Sequence, residues 1–174
     1  MGETTMKTVV IDRGLFNVEE FLQGVVERAP ENWANMTKNG KKQLLGCFDL
    51  LTRDGKELLL FPVWHDYREK EMAIAVVRGM AREYDCVACG ISQEAWQVDA
   101  RKRIPGLTPS EHPEHLRQEI LYVLTLSCTE PAPRSFQWNI LRSGSRARLS
   151  EMKEYSVSTE TFRDLLPRRE IKTQ

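Results

Sequence analysis

The sequence predicts an α+β fold, a single domain in which two main helices pack on a sheet of about five, mostly antiparallel, strands. Three observations carry this. Asp66 to Tyr84 has helical spacing, with Ala73, Val76, Val77, Met80 and Tyr84 on one face and Ile74 and Ala75 widening it. Asn17 to Arg28 repeats the pattern through Val18, Phe21, Leu22, Val25 and Val26. Short alternating or wholly apolar runs separated by Gly, Pro, Asn and Asp then read as strands.

In chain order, a short strand is expected at Lys7 to Ile11. Asn17 caps the first helix, with Glu20 three residues on as in a capping box, and Pro30 is expected to end or break it. Asn32 to Lys42 is polar and holds an Asn39-Gly40 turn signal. Leu44 to Leu51 and Glu57 to Val63 form a hairpin, because Asp54-Gly55 supplies the positive backbone angle of a tight turn. The continuous run Leu58 to Phe61 suits a strand covered on both faces. Asp66 is the expected cap of the second helix. The Cys86–Val98 strand follows, then a long irregular loop from Asp99 to Leu116, then a strand from Gln118 to Leu126 expected beside it and antiparallel to it. Phe136, Trp138 and Ile140 alternate in a further strand. Ser143-Gly-Ser145 turns into a last strand at Arg146 to Leu149, or a longer one reaching Val157. A short helix from Thr159 to Leu166 is stopped by Pro167. Residues 1–6 and 168–174 read as frayed tails.

Composition narrows the classes of function. Net charge is zero, so no global field favours nucleic acid or membrane. The balance is uneven, since Arg134 to Gln174 holds nine Lys and Arg against five Asp and Glu. No apolar run approaches the roughly 20 residues of a membrane span. Met1 to Lys7 shows neither a signal-peptide core nor the myristoylation pattern, so the expectation is a cytoplasmic protein with no membrane partner. Cys47, Cys86, Cys89 and Cys128 read as buried, reduced thiols. Cys86 and Cys89 form C-x-x-C within a strand pattern, where residues three apart face opposite sides, and no second ligand pair stands at zinc-site spacing.

The densest polar region is Cys86 to Leu126. Glu94 and Trp96 share one face of their strand, and the following loop carries Ser110, His112 and His115. A carboxyl beside an indole is partly desolvated, which suits Glu94 to proton transfer with His112 as a relay. The structural alternative has Trp96 filling the core, Glu94 paired with Arg117, Arg101 or a loop amide, and Ser110 capping a turn. Ser92-Gln-Glu-Ala-Trp96, followed by Pro109-Ser-Glu-His-Pro113 and Glu119, resembles a pattern in uncharacterised bacterial and phage-encoded proteins. That resemblance implies an origin in phage or mobile elements and supplies no mechanism.

Other chemistry is thinner. His112 and His115 are weak metal candidates, with Glu111, Glu114 and Glu119 close in sequence. His65 is followed by Asp66-Tyr67 rather than by a zinc-deaminase pattern, and no cofactor is expected. There is no nucleophile elbow and no Gly-rich phosphate loop. Arg142, Arg146 and Arg148 with Phe136 and Trp138 form a basic aromatic hairpin that could stack bases, unless its aromatics face the core. The leading expectation is an accessory or protein-binding protein acting through a protein partner or self-association, such as a homodimer. Behind it stand a hydrolase-like enzyme using Glu94, His112 and His115, and a weak nucleic-acid binder using the hairpin arginines.

Overall fold

The computed structural model describes residues 6–12, 14, 17–38, 43–44, 46–129, 133–156 and 164–166. Eight strands and two α-helices follow one another along the described residues: β1 (Met6–Asp12), α1 (Val18–Thr37), β2 (Cys47–Thr52), β3 (Lys56–Pro62), α2 (Tyr67–Glu83), β4 (Cys86–Val98), β5 (Arg117–Ser127), β6 (Arg134–Ser143), β7 (Arg146–Leu149) and β8 (Lys153–Ser156). The α+β class stands, but the sheet is larger than the expected five strands. Its order is β1-β3-β2-β4-β5-β6-β7, with β8 also on β6, and every neighbouring pair is antiparallel. Strand β1 forms one edge of the sheet, and the short strands β7 and β8 share the other. β7 takes the outer edge of β6 at Ile140 to Ser143 and β8 takes it at Arg134 to Gln137. Short edge strands bury little, so their sequence alternation is weak.

The two helices cover opposite faces. The α2 residues Ile74, Val77 and Ala81 share a core with Phe48, Leu50, Leu58, Leu60 and Ile91. Residues Phe21, Leu22, Val25 and Trp33 of α1 share another with Leu51, Leu121, Val123 and Phe136. This is why Leu58 to Phe61 is apolar without alternation. The Asp54-Gly55 turn forms as expected, with Gly55 at φ 85° and its N–H bonded to the Thr52 carbonyl. Strands β4 and β5 are adjacent and antiparallel along all 11 residues of β5.

Two helix expectations need correction. First, α1 runs through Pro30 to Thr37, with Lys38 closing it in the left-handed conformation. Pro30 costs an interior helix roughly 3 kcal/mol. Beyond it, however, Trp33 is buried against the sheet, and truncating a buried aromatic costs about 3–5 kcal/mol. The anchor outweighs the proline. Second, the buried face of α2 is Ala73, Ile74, Val77 and Ala81, while Val76 and Tyr84 are each 47% exposed. Asn17 and Asp66 cap α1 and α2 as expected, accepting from Glu19 and Glu20 N–H and from Glu69 N–H. The Asn39-Gly40 turn and the Thr159–Leu166 helix fall largely outside the described residues. Leu165 and Leu166 are buried in the α2-side core.

A β-bulge alters the C-x-x-C reading. Leu51 pairs with Ala88 but Thr52 pairs with Cys86, so β4 carries one extra residue there. Parity shifts, and Cys86 and Cys89 both enter the α2-side core instead of facing opposite sides. All four cysteines are free, with three buried and Cys128 half-buried.

Helix α1 reaches β4 at Gly90. A Cβ there would lie 2.5 Å from Val25 Cγ1. Gly90→Ala is therefore expected to destabilise by about 1–3 kcal/mol through overpacking. Val25→Ala in the same chain should return part of that loss, measured as a double-mutant cycle by urea unfolding. Additive effects would show that α1 does not bear on Gly90.

Candidate functional site

The loop from Asp99 to Leu116 is ordered by three single 3-10 turns, at Ala100–Lys102, Pro109–Glu111 and Glu114–Leu116. Asp99 caps the first by accepting from Arg101 N–H at 2.9 Å. In the second, Glu111 Oε2 accepts from both the N–H and the hydroxyl of Thr108 at 2.7 Å. Those bonds hold the Glu111 carboxyl below its ordinary range. At the centre lies His112, 2% exposed. Its Nε2 accepts from Ile104 N–H at 2.8 Å and its Nδ1 faces the Thr108 carbonyl at 2.8 Å. That pair of partners assigns the neutral tautomer protonated at Nδ1. The ring thus staples two points of the loop, and both nitrogens are occupied.

Arg117 fixes the loop to the sheet. Its guanidinium donates to the Ser110 carbonyl and lies 4.3 Å from the Trp96 ring centroid. His115 and His65 are exposed, unlike His112. Among the described residues no group of three or more His, Cys, Asp or Glu is placed to hold a metal ion.

Glu94 is 7% exposed and belongs to the face that α1 covers. Its partner is neither of the expected arginines, although the amide of Leu44, in the segment before β2, does contribute to it as the expected kind of loop amide. Trp33 Nε1–H donates to Glu94 Oε1 at 2.6 Å. Arg117 is committed to Trp96 and Ser110, and Arg101 is exposed. The signal was present in sequence: Trp33 continues the stripe of Val25, Val26 and Ala29 at helical spacing. Ending the helix at Pro30 hid it. Glu94 Oε2 is buried and has no hydrogen-bond partner among the described residues. Burial pushes the Glu94 carboxyl above its ordinary range, the Trp33 bond opposes this, and the Glu119 carboxylate adds to the rise; the Leu44 amide and Arg142 pull downward.

Glu119 receives Arg142 in a two-pronged pair, Nε to Oε2 at 2.6 Å and Nη2 to Oε1 at 2.5 Å. Of the hairpin arginines, Arg142 is thereby engaged, while Arg146 and Arg148 are exposed. Phe136, Trp138 and Ile140 are buried in the α1-side core, so the hairpin's aromatics are not displayed beside Arg146 and Arg148 to stack a base.

A cleft of about 240 Å³ lies where β2 ends beside β4. Strand β2 pairs with β4 only as far as Ser92, and one further bond joins Glu94 N–H to the Leu44 carbonyl. Gln43, Trp64, Lys70, Glu94, Trp96 and Ser110 line the cleft, so three expected site residues, Glu94, Trp96 and Ser110, come together there. His112 and His115 do not line it. Trp64 packs against the α2-side core, whereas Trp96 shares the face of Glu94. One indole therefore stands on each side of the sheet rim. Lys70 lies 5.8 Å from the Trp64 ring centroid, so each indole carries a cation. Trp64 and Lys70 were not singled out from sequence; no local pattern links them to β4.

No family model, curated protein or solved structure matches this chain.

Two outcomes follow from the bonding. Because burial raises the Glu94 pKa, its contribution to stability is present below the unfolded value and is lost as pH rises through the folded one. Glu94→Gln cannot ionise, so its melting temperature relative to wild type should climb as pH rises above about 4.3, the unfolded glutamate value. A flat difference would show that the carboxyl is not desolvated. His112→Ala should release the loop, seen as faster amide exchange at Ile104 than in wild type, with α2 amides unchanged. Unchanged Ile104 exchange would show that the histidine is not the staple.

Proposed function

We propose that the chain is a protein-binding accessory protein that grips an extended segment of a partner at the Trp64–Trp96 cleft. The observation that carries this reading is the pair of cation-capped indoles on opposite sides of the rim where β2 stops pairing with β4. Tryptophan and arginine are the residues that most often supply binding energy at protein interfaces. A segment laid along a sheet edge directs alternate side chains to the two faces, so one would meet each indole. Gln43, Gln93 and the Ser110 region add polar groups for its main chain. The resemblance to phage-encoded proteins supports an accessory role carried by mobile elements.

The hydrolase-like reading has less support. Glu94 retains a raised pKa, but His112 has no free ring nitrogen and lies away from the cleft. The nucleic-acid reading keeps Arg146 and Arg148 and loses Arg142 to Glu119. No helix among the described residues is long and apolar enough to cross a membrane.

Selection from a displayed library of random linear peptides tests the proposal. Enriched sequences should quench intrinsic tryptophan fluorescence, and Trp64→Ala should weaken them at least about tenfold, the equivalent of 1.4 kcal/mol. Trp96→Ala should do the same. Failure to enrich any sequence, or peptides that bind the double variant as well as wild type, would overturn it.

A further inference from the structure

We infer that a second surface, the groove between α1 and the β6–β8 edge, receives a basic amphipathic segment of a partner protein. The groove lies on the α1 side of the sheet and encloses about 310 Å³. Its floor is apolar: Leu22 and Val26 of α1 and Phe136 of β6 are buried, and Met152, just before β8, is 48% exposed. Its rim is acidic, with Glu19 and Glu27 on α1 and Glu154 on β8. Three glutamates thus face one arginine among the lining residues, Arg134.

The placement of Arg134 shows what the groove accepts. Its guanidinium lies 5.3 Å from the Phe136 ring centroid, donates to Glu154 Oε1 at 2.9 Å and stands 3.5 Å from Glu19 Oε1. A cation over an apolar floor between carboxylates is therefore already one stable occupant. Glu27 lies on the same rim, where it accepts from Gln23 Nε2 at 2.7 Å. A carboxylate has lone pairs for further donors beyond that one.

The acidic field extends beyond the rim. Glu20 and Glu31 are exposed on α1, and Arg28, the cation of that helix, turns to Glu57 at 2.9 Å. Nucleic acids and anionic lipid surfaces are repelled by such a ridge, whereas Lys and Arg are drawn to it. The apolar floor requires more than a simple cation. Met152, which is exposed beside the buried Leu22, Val26 and Phe136, would be covered only by a segment that interleaves aliphatic side chains with its basic ones, which is the chemistry of an amphipathic peptide. This surface is separate from the Trp64–Trp96 cleft: the two share no lining residue.

The probe is a fluorescein-labelled peptide of alternating Leu and Arg, with alternating Leu and Glu as its counterpart, titrated against the full chain by anisotropy. The Leu-Arg peptide should bind and the Leu-Glu peptide should not. Glu27→Lys and Met152→Ser should each weaken binding at least about fivefold, the first by charge and the second by lost floor. Glu83→Lys, on the exposed side of α2, changes net charge by the same amount as Glu27→Lys and should leave binding within about twofold. Equal losses in Glu27→Lys and Glu83→Lys would overturn the assignment in favour of bulk attraction. Binding untouched by Met152→Ser, or no binding at all, would also overturn it. Tighter binding after deletion of residues 167–174 would overturn it by showing that the chain's own basic terminus competes for the groove.

Discussion

The seating of α1 on the sheet organises everything else in this molecule. Gly90 lets Val25 descend to the backbone of β4, closer than any side chain at position 90 would permit. Around that contact the helix is held by two directed polar bonds, Arg28 to Glu57 on β3 and Trp33 to Glu94 on β4. Both carboxylates are nearly inaccessible, Glu57 at 1% exposure and Glu94 at 7%. Apolar packing alone tolerates sliding and rotation. A buried carboxylate does not, because displacing its donor leaves a charge in low dielectric at a cost of several kcal/mol. Together the two bonds fix the rotation and the register of α1.

This arrangement explains which parts of the fold the sequence disclosed. The elements whose signals are local were legible: the Asp54-Gly55 hairpin, the capped starts at Asn17 and Asp66, and the full extent of β4 with its antiparallel neighbour β5. What escaped depends on contacts distant in sequence. Pro30 reads as a stop because nothing local compensates for it; the compensation is Trp33 meeting a residue 61 positions on. Cys86 and Cys89 read as facing apart because strand parity is local knowledge, whereas the bulge that reverses it is set by the pairing with Leu51 and Thr52. Edge strands β7 and β8 were half visible, since their pairing partner β6 supplies most of the hydrophobic pattern.

The candidate site shows the same division. Glu94, Trp96 and Ser110 do converge, and the alternation of β4 was enough to bring the first two to one face. His112 was drawn into the site by its neighbours in sequence, yet it belongs to the interior of the loop. Histidine can donate from one nitrogen and accept at the other, and here it joins an amide and a carbonyl eight and four residues away. Backbone groups of an irregular loop need such partners when they are buried. Trp64 reaches the cleft from the segment between β3 and α2, and only the three-dimensional approach of its indole to Gly46 reveals it.

Pro30 divides α1 into halves with different tasks. Glu19, Leu22, Val26 and Glu27 form one wall of the acidic groove, all before the proline. Trp33, after it, holds Glu94 at the border of the aromatic cleft. The two surfaces are therefore mechanically joined through one helix, although they share no lining residue. Anything that shifts the first half of α1 must be absorbed at Gly90, where Val25 has no room to move inward, or be passed to the Trp33–Glu94 bond. Since that bond sits in low dielectric, its length and the protonation of Glu94 are linked: a proton on Glu94 removes the charge assistance that strengthens the indole bond.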